Sequence, residues 1–161
     1  ECKALGDKVN TNSGSMGVAF SSCTVPAAGK PTFELGADEM EFGVGIHGEP
    51  GRRRDKVKSA QEITNELLEA IIEDLKPENN EDILLFVNGM GGTPLTELYL
   101  IYDNAKKLLD GKNIKIARSL VGNYCTSLEM QGASITLTKL DQELVKHWDS
   151  AVHTAAMRWG M

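Results

Sequence analysis

The sequence lacks a cysteine pairing pattern, a basic excess and any long apolar run, and each lack removes a class of protein. The three cysteines, Cys2, Cys23 and Cys125, are odd in number and widely spaced. They build neither a disulfide framework nor a paired metal-ligand motif, and are read as buried or partly buried thiols of a reducing compartment. Lysine and arginine total 17 against 23 aspartates and glutamates, for a formal net charge of -6 and a sequence pI of about 5.1. A phosphate-backbone partner requires the opposite balance, so nucleic acid is not an expected partner. No apolar run approaches the ~20 residues of a membrane-spanning helix, and the first residues are polar rather than signal-like. A cytoplasmic protein without a membrane partner is expected.

What is present is enough apolar material for one ordinary core, 41% of 161 residues, and so for one domain. The chain opens at Glu1, and Leu5, Val9 and Met16 follow at roughly helical spacing, as though an element had been cut through its middle. A fragment of a longer protein is expected. A helix is read over 1–20, against the poor helix-forming run NTNSGSMG. Residues 23–31 read as loop, and 32–35 and 40–46 as two strands of a hairpin turning at Gly36-Ala37-Asp38. Ser59 is a plausible cap for a helix whose apolar face is Ile63, Leu67, Leu68, Ala70, Ile71, Ile72 and Leu75, ending before Pro77. The run ILLFV at 83–87 suits a strand covered on both faces. Thr93 is placed as the cap of a second long helix with Pro94 in its first turn and Leu95, Leu98, Ile101, Ala105 and Leu109 on its apolar face. Strands at 114–121 and 133–137 and an amphipathic helix over 140–152 complete the order. The mixture predicts an α/β two-layer sandwich, a mixed β-sheet with helices packed mainly on one face.

Few motifs carry chemistry by their spacing. Gly43, Gly45 and Gly48 match G-x-G-x-x-G, but Pro50 and Gly51 follow where a dinucleotide site needs a helix to start. The segment NGMGGTP at 88–94 is a glycine-rich turn into a helix, a form that can hold an anion. It lacks the Lys and Ser/Thr of a P-loop, and a structural turn is the favoured reading. Arg52, Arg53 and Arg54 are read as a solvated segment ahead of an anion clamp. His147 and His153 lie in or after the last helix with no second ligand beside them, and no metal site is expected. His47 differs, because glycines on both sides let a small molecule approach its imidazole and the adjoining backbone.

The residues SSCTVPAAGKPTFELGADEMEFGVGIHGEPG, 21–51, closely resemble the segment of dihydroxyacetone kinase substrate-binding subunits that runs from a cysteine-bearing loop to a reactive histidine. NGMGGTP and the terminal Arg158-Trp159-Gly160 also look like that family. The resemblance implies that His47, in GIHGEPG, bonds through a ring nitrogen to the carbonyl carbon of dihydroxyacetone, giving a hemiaminal. It also implies that residues 1–161 are the C-terminal α/β subdomain of such a subunit. The aspartate and second histidine that act on the phosphorylated hydroxyl would then lie upstream of Glu1. The cofactors implied are ADP or ATP with Mg on a separate nucleotide-binding kinase subunit or domain. The partners implied are dihydroxyacetone, that kinase subunit, a phosphoryl-donor protein of the phosphotransferase system and a second copy in a homodimer. Two rivals are a non-catalytic coactivator relative that holds dihydroxyacetone by the same histidine, and a lipid carrier, which would need an apolar tunnel and no reactive histidine.

Overall fold

The structure, a computed structural model, describes residues 1–47 and 51–160. A single six-stranded mixed sheet of order β3-β2-β1-β6-β4-β5 forms its frame. The strands are β1 (Ser13–Ala19), β2 (Glu39–Phe42), β3 (Arg53–Lys56), β4 (Asp82–Gly89), β5 (Lys115–Gly122) and β6 (Gly132–Lys139). Helices α2 (Ala60–Leu75) and α3 (Leu95–Gly111) pack side by side on one face. The two-layer fold read from the pattern is therefore the one observed. β4 and β5 are the parallel pair, which needs a crossover, and α3 is that crossover.

Alternation along the strands decides which side chains meet the helices. Ile83, Leu85 and Val87 of β4 and Ala133, Ile135 and Leu137 of β6 are at most 1% exposed and join Leu67, Leu68, Leu98 and Leu109 in the main core. Leu84 and Phe86, on the other face of β4, are only half-buried, so ILLFV is covered on one face and not on both. α2 begins as its sequence predicts. Ser59 accepts from the Glu62 amide, and the Glu62 carboxylate accepts from the Ser59 amide and hydroxyl, a closed capping box.

Four assignments are corrected by tertiary contacts. The helix expected over 1–20 stops early: α1 is Cys2–Thr11, and residues 13–19 are β1, paired along their length with β6 from Ser13↔Thr138 to Ala19↔Gly132. The poor helix former NTNSGSMG is the switch, and Met16 and Val18 reach the core from a strand. Residues 32–35 form no strand, and β2 pairs instead with β1 and with β3. Thr93 does not cap α3. The N-cap is Pro94, and the Thr93 hydroxyl donates to the Gly132 carbonyl at 2.7 Å and accepts the Gly132 amide at 2.9 Å. The last helix, α4 (Gln142–Trp148), is shorter than expected, and Val152–His153 (β7) pairs with Arg158–Trp159 (β8) in a small ribbon. Trp159 meets Trp148 edge-on with ring centroids 5.6 Å apart. Among the described residues no helix is long and apolar enough to cross a membrane.

Candidate functional site

The sheet face opposite α2 and α3 carries small and polar side chains, and a cleft of about 410 Å3 lies over it. Its floor is Ser15 and Gly17 of β1, Ser134 and Thr136 of β6, and Phe86 and Asn88 of β4. One wall is the segment 43–46 with Arg52, packed against Met90; the other, across three strands, holds Cys125.

The first wall is held directly on β1. Gly43 ends β2 with φ +78, a conformation that L side chains rarely adopt. Its amide donates to the Gly17 carbonyl at 2.7 Å. Val44, 4% exposed, then turns down into a small second core with Ala19, Cys23, Met90 and Met130. Gly17 makes this approach feasible, because a Cβ there would lie 2.7 Å from Met90 Cε and 3.0 Å from the Val44 carbonyl oxygen. The segment is closed behind by the Arg52 amide donating to the Phe42 carbonyl at 2.6 Å. His47 follows Ile46, the last cleft-lining residue of this segment, and is exposed. Gly48, Glu49 and Pro50, part of the GIHGEPG motif, lie outside the described residues.

The second wall depends on Asn88, which is 2% exposed. Its Oδ1 accepts the amides of Tyr124 and Cys125 at 3.0 and 2.8 Å, while its Nδ2 donates to the Cys125 carbonyl at 2.8 Å and to Ser134 Oγ at 3.4 Å. The glycine-rich run after it serves the same junction. The amides of Met90, Gly91 and Gly92 donate to the Gly132 carbonyl, Asn123 Oδ1 and the Met130 carbonyl, and so are occupied within the fold. Those three amides are therefore not free to hold an anion, which favours the structural reading of the turn. The 23–31 loop is tied on by Glu129, which accepts the Thr24 amide at 2.7 Å. The amides of Glu129 itself and of Thr24 hold the Glu129 carboxyl below the usual glutamate range.

Of the residues singled out by sequence, the His47 segment, Arg52, Asn88 and Met90 of NGMGGTP, and Cys125 adjoin the cleft. Arg53 pairs with Glu66 and Asp55, and Arg54 with Glu41 and Glu39, whereas Arg52 makes no ion pair among the described residues. His147 and His153 are exposed and do not line this cleft, although His147 lines an adjoining apolar hollow with Phe86 and Tyr124. The cysteines differ from expectation: Cys23 is buried, but Cys2 and Cys125 are exposed. Asn88 and Cys125 were not foreseen as site residues, because the partners of Asn88 lie far away in sequence.

Fold and cleft together define a two-layer α/β domain with an open cleft beside a glycine-flanked histidine. The Dak1 domain matches residues 1–156, and the chain belongs to that family. It is 39% identical over 183 residues to the PEP-dependent dihydroxyacetone kinase, dihydroxyacetone-binding subunit DhaK of Escherichia coli, covering 99% of this chain and 51% of the relative. It is 42% identical over 148 residues to the Triokinase/FMN cyclase of Homo sapiens, covering 89% of this chain and 26% of that one. Among solved structures, the dihydroxyacetone kinase operon co-activator Dha-DhaQ superposes with a TM-score of 0.86 at 31% identity, covering 94% of this chain and 47% of the co-activator. The dihydroxyacetone kinase from C. freundii in complex with AMP-PNP and Mg2+ gives 0.77 at 26%, covering 98% and 29%. The chain spans about half the length of the dihydroxyacetone-binding subunits it matches.

Proposed function

We propose that this chain is the histidine-bearing C-terminal part of a dihydroxyacetone-binding kinase subunit, and that His47 anchors the substrate covalently for phosphorylation to dihydroxyacetone phosphate. The observation that carries the reading is the motif GIHGEPG, whose Gly45 and Ile46 line a hydroxyl- and amide-floored cleft, in a chain similar throughout to dihydroxyacetone-binding subunits. A neutral imidazole nitrogen attacks the ketone carbon, an N–C bond forms, and the carbonyl π pair moves to oxygen. Oxygen takes up the proton that the ring gives up, leaving a neutral hemiaminal. The ring nitrogen then has no hydrogen left to lose, so the adduct cannot dehydrate to a neutral imine as a lysine adduct can. Glycerol, with the same carbon chain but no electrophilic carbon, is rejected.

In this reading residues 1–161 hold the anchor and not the transfer machinery. The nucleotide, ADP or ATP with Mg, sits on a separate kinase subunit or domain, a phosphotransferase-system protein serves as phosphoryl donor, and the assembly contains a homodimer. A coactivator role is the second reading, favoured by the superposition on Dha-DhaQ; His47 is common to both.

The test is intact-protein mass spectrometry with calorimetry. The chain is expected to gain the mass of dihydroxyacetone and none from glycerol, and His47→Ala to lose the adduct. Adduct formation is expected to fall in acid, since protonation removes the attacking lone pair. In the complete subunit His47→Ala is expected to lose ketone selectivity more than turnover, because anchoring and proton transfer contribute separately. A variant that keeps the covalent mass would show that His47 is not the anchor.

A further inference from the structure

We infer that Asn88 is a positioning residue for this cleft: it fixes the Tyr124–Cys125 backbone so that Cys125 closes the end away from the His47 segment and limits the length of hydroxyketone admitted. The inference rests on the reading above that His47 anchors a ketone.

Strand geometry sets the dimension. Segment 43–46 sits over β1 through the Gly43–Gly17 hydrogen bond, and Cys125 sits beyond β4 through Asn88. Two strand spacings, β1 to β6 to β4, separate the walls by roughly 10 Å. That is longer than a three-carbon ketone needs and short enough for one end group to decide what fits.

The geometry of Asn88 is that of a fixed mount. Both of its side-chain atoms are engaged, three of its four contacts go to the backbone of two adjacent residues, and it is itself 2% exposed. Loss of an amide with this many partners strands buried donors and acceptors, so the wall must move to find new ones. The clamp grips only main-chain atoms of Cys125, which leaves the thiol exposed and its side chain replaceable without touching the clamp. Neighbouring contacts hold the rest of the loop: the Ser127 amide donates to the Met90 carbonyl at 2.8 Å, and Asn123 Oδ1 accepts the Gly91 amide. Asn88 therefore controls the placement of residues 124 and 125 more than the attachment of the loop as a whole.

The experiment titrates this chain and its Asn88→Ala, Asn88→Asp and Cys125→Ala variants with dihydroxyacetone and with the four-carbon hydroxyketone erythrulose. Adduct mass gives the affinity ratio, and thermal melts check folding. The wild type is expected to favour dihydroxyacetone. Asn88→Ala is expected to shift the ratio toward erythrulose by roughly tenfold, the low end of what one carbon is worth in a closed pocket. Cys125→Ala is expected to shift it in the same direction with an unchanged melt. Asn88→Asp, which keeps the oxygen that accepts the Tyr124 and Cys125 amides but replaces the donor to the Cys125 carbonyl with an acceptor, is expected to shift the ratio in the same direction as Asn88→Ala. If Asn88→Ala fails to fold, Cys125→Ala decides alone. A purely structural role would lower both affinities together and leave the ratio unmoved; an unmoved ratio in folded variants overturns the inference while the His47 reading stands. A wild type that binds neither ketone overturns both.

Discussion

Gly17 lies where the His47 segment rests on the sheet, so it links local sequence to site geometry. A methyl group there meets the flexible end of Met90 but also the Val44 carbonyl oxygen at 3.0 Å, which cannot retreat without lifting the whole wall. Gly17→Ala is expected to cost about 1–3 kcal/mol, the usual range for overpacking, and to weaken dihydroxyacetone adduct formation beyond what the melt alone accounts for. Chemical denaturation and adduct titration on one sample check both halves, and a variant destabilised but with unaltered adduct would detach Val44 from the site. At this scale the two walls were unequally legible. His47 announces itself through flanking glycines and a specific motif, all within a few residues. Asn88 does not, because its partners at Tyr124 and Cys125 lie more than 30 residues away in sequence and nothing local marks an asparagine as a clamp.

The elements follow local chemistry wherever a cap or a period is strong. Ser59→Ala, which removes the hydroxyl half of the capping box of α2, is expected to cost about 1 kcal/mol and to lower the melting temperature by roughly 2–4 °C. The Ser59 hydroxyl, followed by its amide, holds the Glu62 carboxyl below the usual glutamate range. The folded chain thus takes up this proton less readily than the unfolded chain. The stabilisation is complete above the ordinary glutamate range and is lost as pH falls through that range to the folded value. Melts across acid pH are expected to show a smaller acid-side loss in Ser59→Ala than in the wild type; parallel profiles would remove Glu62 from the account. Elements with weak local signals went elsewhere. The basic run after Gly51 became the edge strand β3, with Arg53 and Arg54 paired to carboxylates and Arg53 stacked 4.5 Å from the Phe42 ring centroid. Charged side chains on an edge also discourage further strand pairing.

At the scale of the whole molecule, one continuous core joins α2, α3, β4 and β6, and β1 is paired on both sides. The 161-residue chain is expected to unfold in a single cooperative transition, followed by circular dichroism. Mixed with a nucleotide-binding kinase subunit, it is expected to support no phosphoryl transfer in a coupled assay, since the proposed reading gives these residues the anchor and not the transfer machinery. Measurable turnover would refute that. Apolar periodicity was sufficient for α3 and the cores of β4, β5 and β6, and periodicity with cap chemistry for α2, because period and caps act within one or two turns or along one strand. The glycines and histidine of 43–47 were likewise readable in place. Only the tertiary structure decided that residues 13–19 are a strand, that Thr93 holds β6 instead of capping a helix, and that Asn88 and Cys125 wall the cleft. Each of those outcomes depends on hydrogen bonds to residues between 36 and 125 positions away, and such pairings become favourable only once the sheet has brought distant segments together.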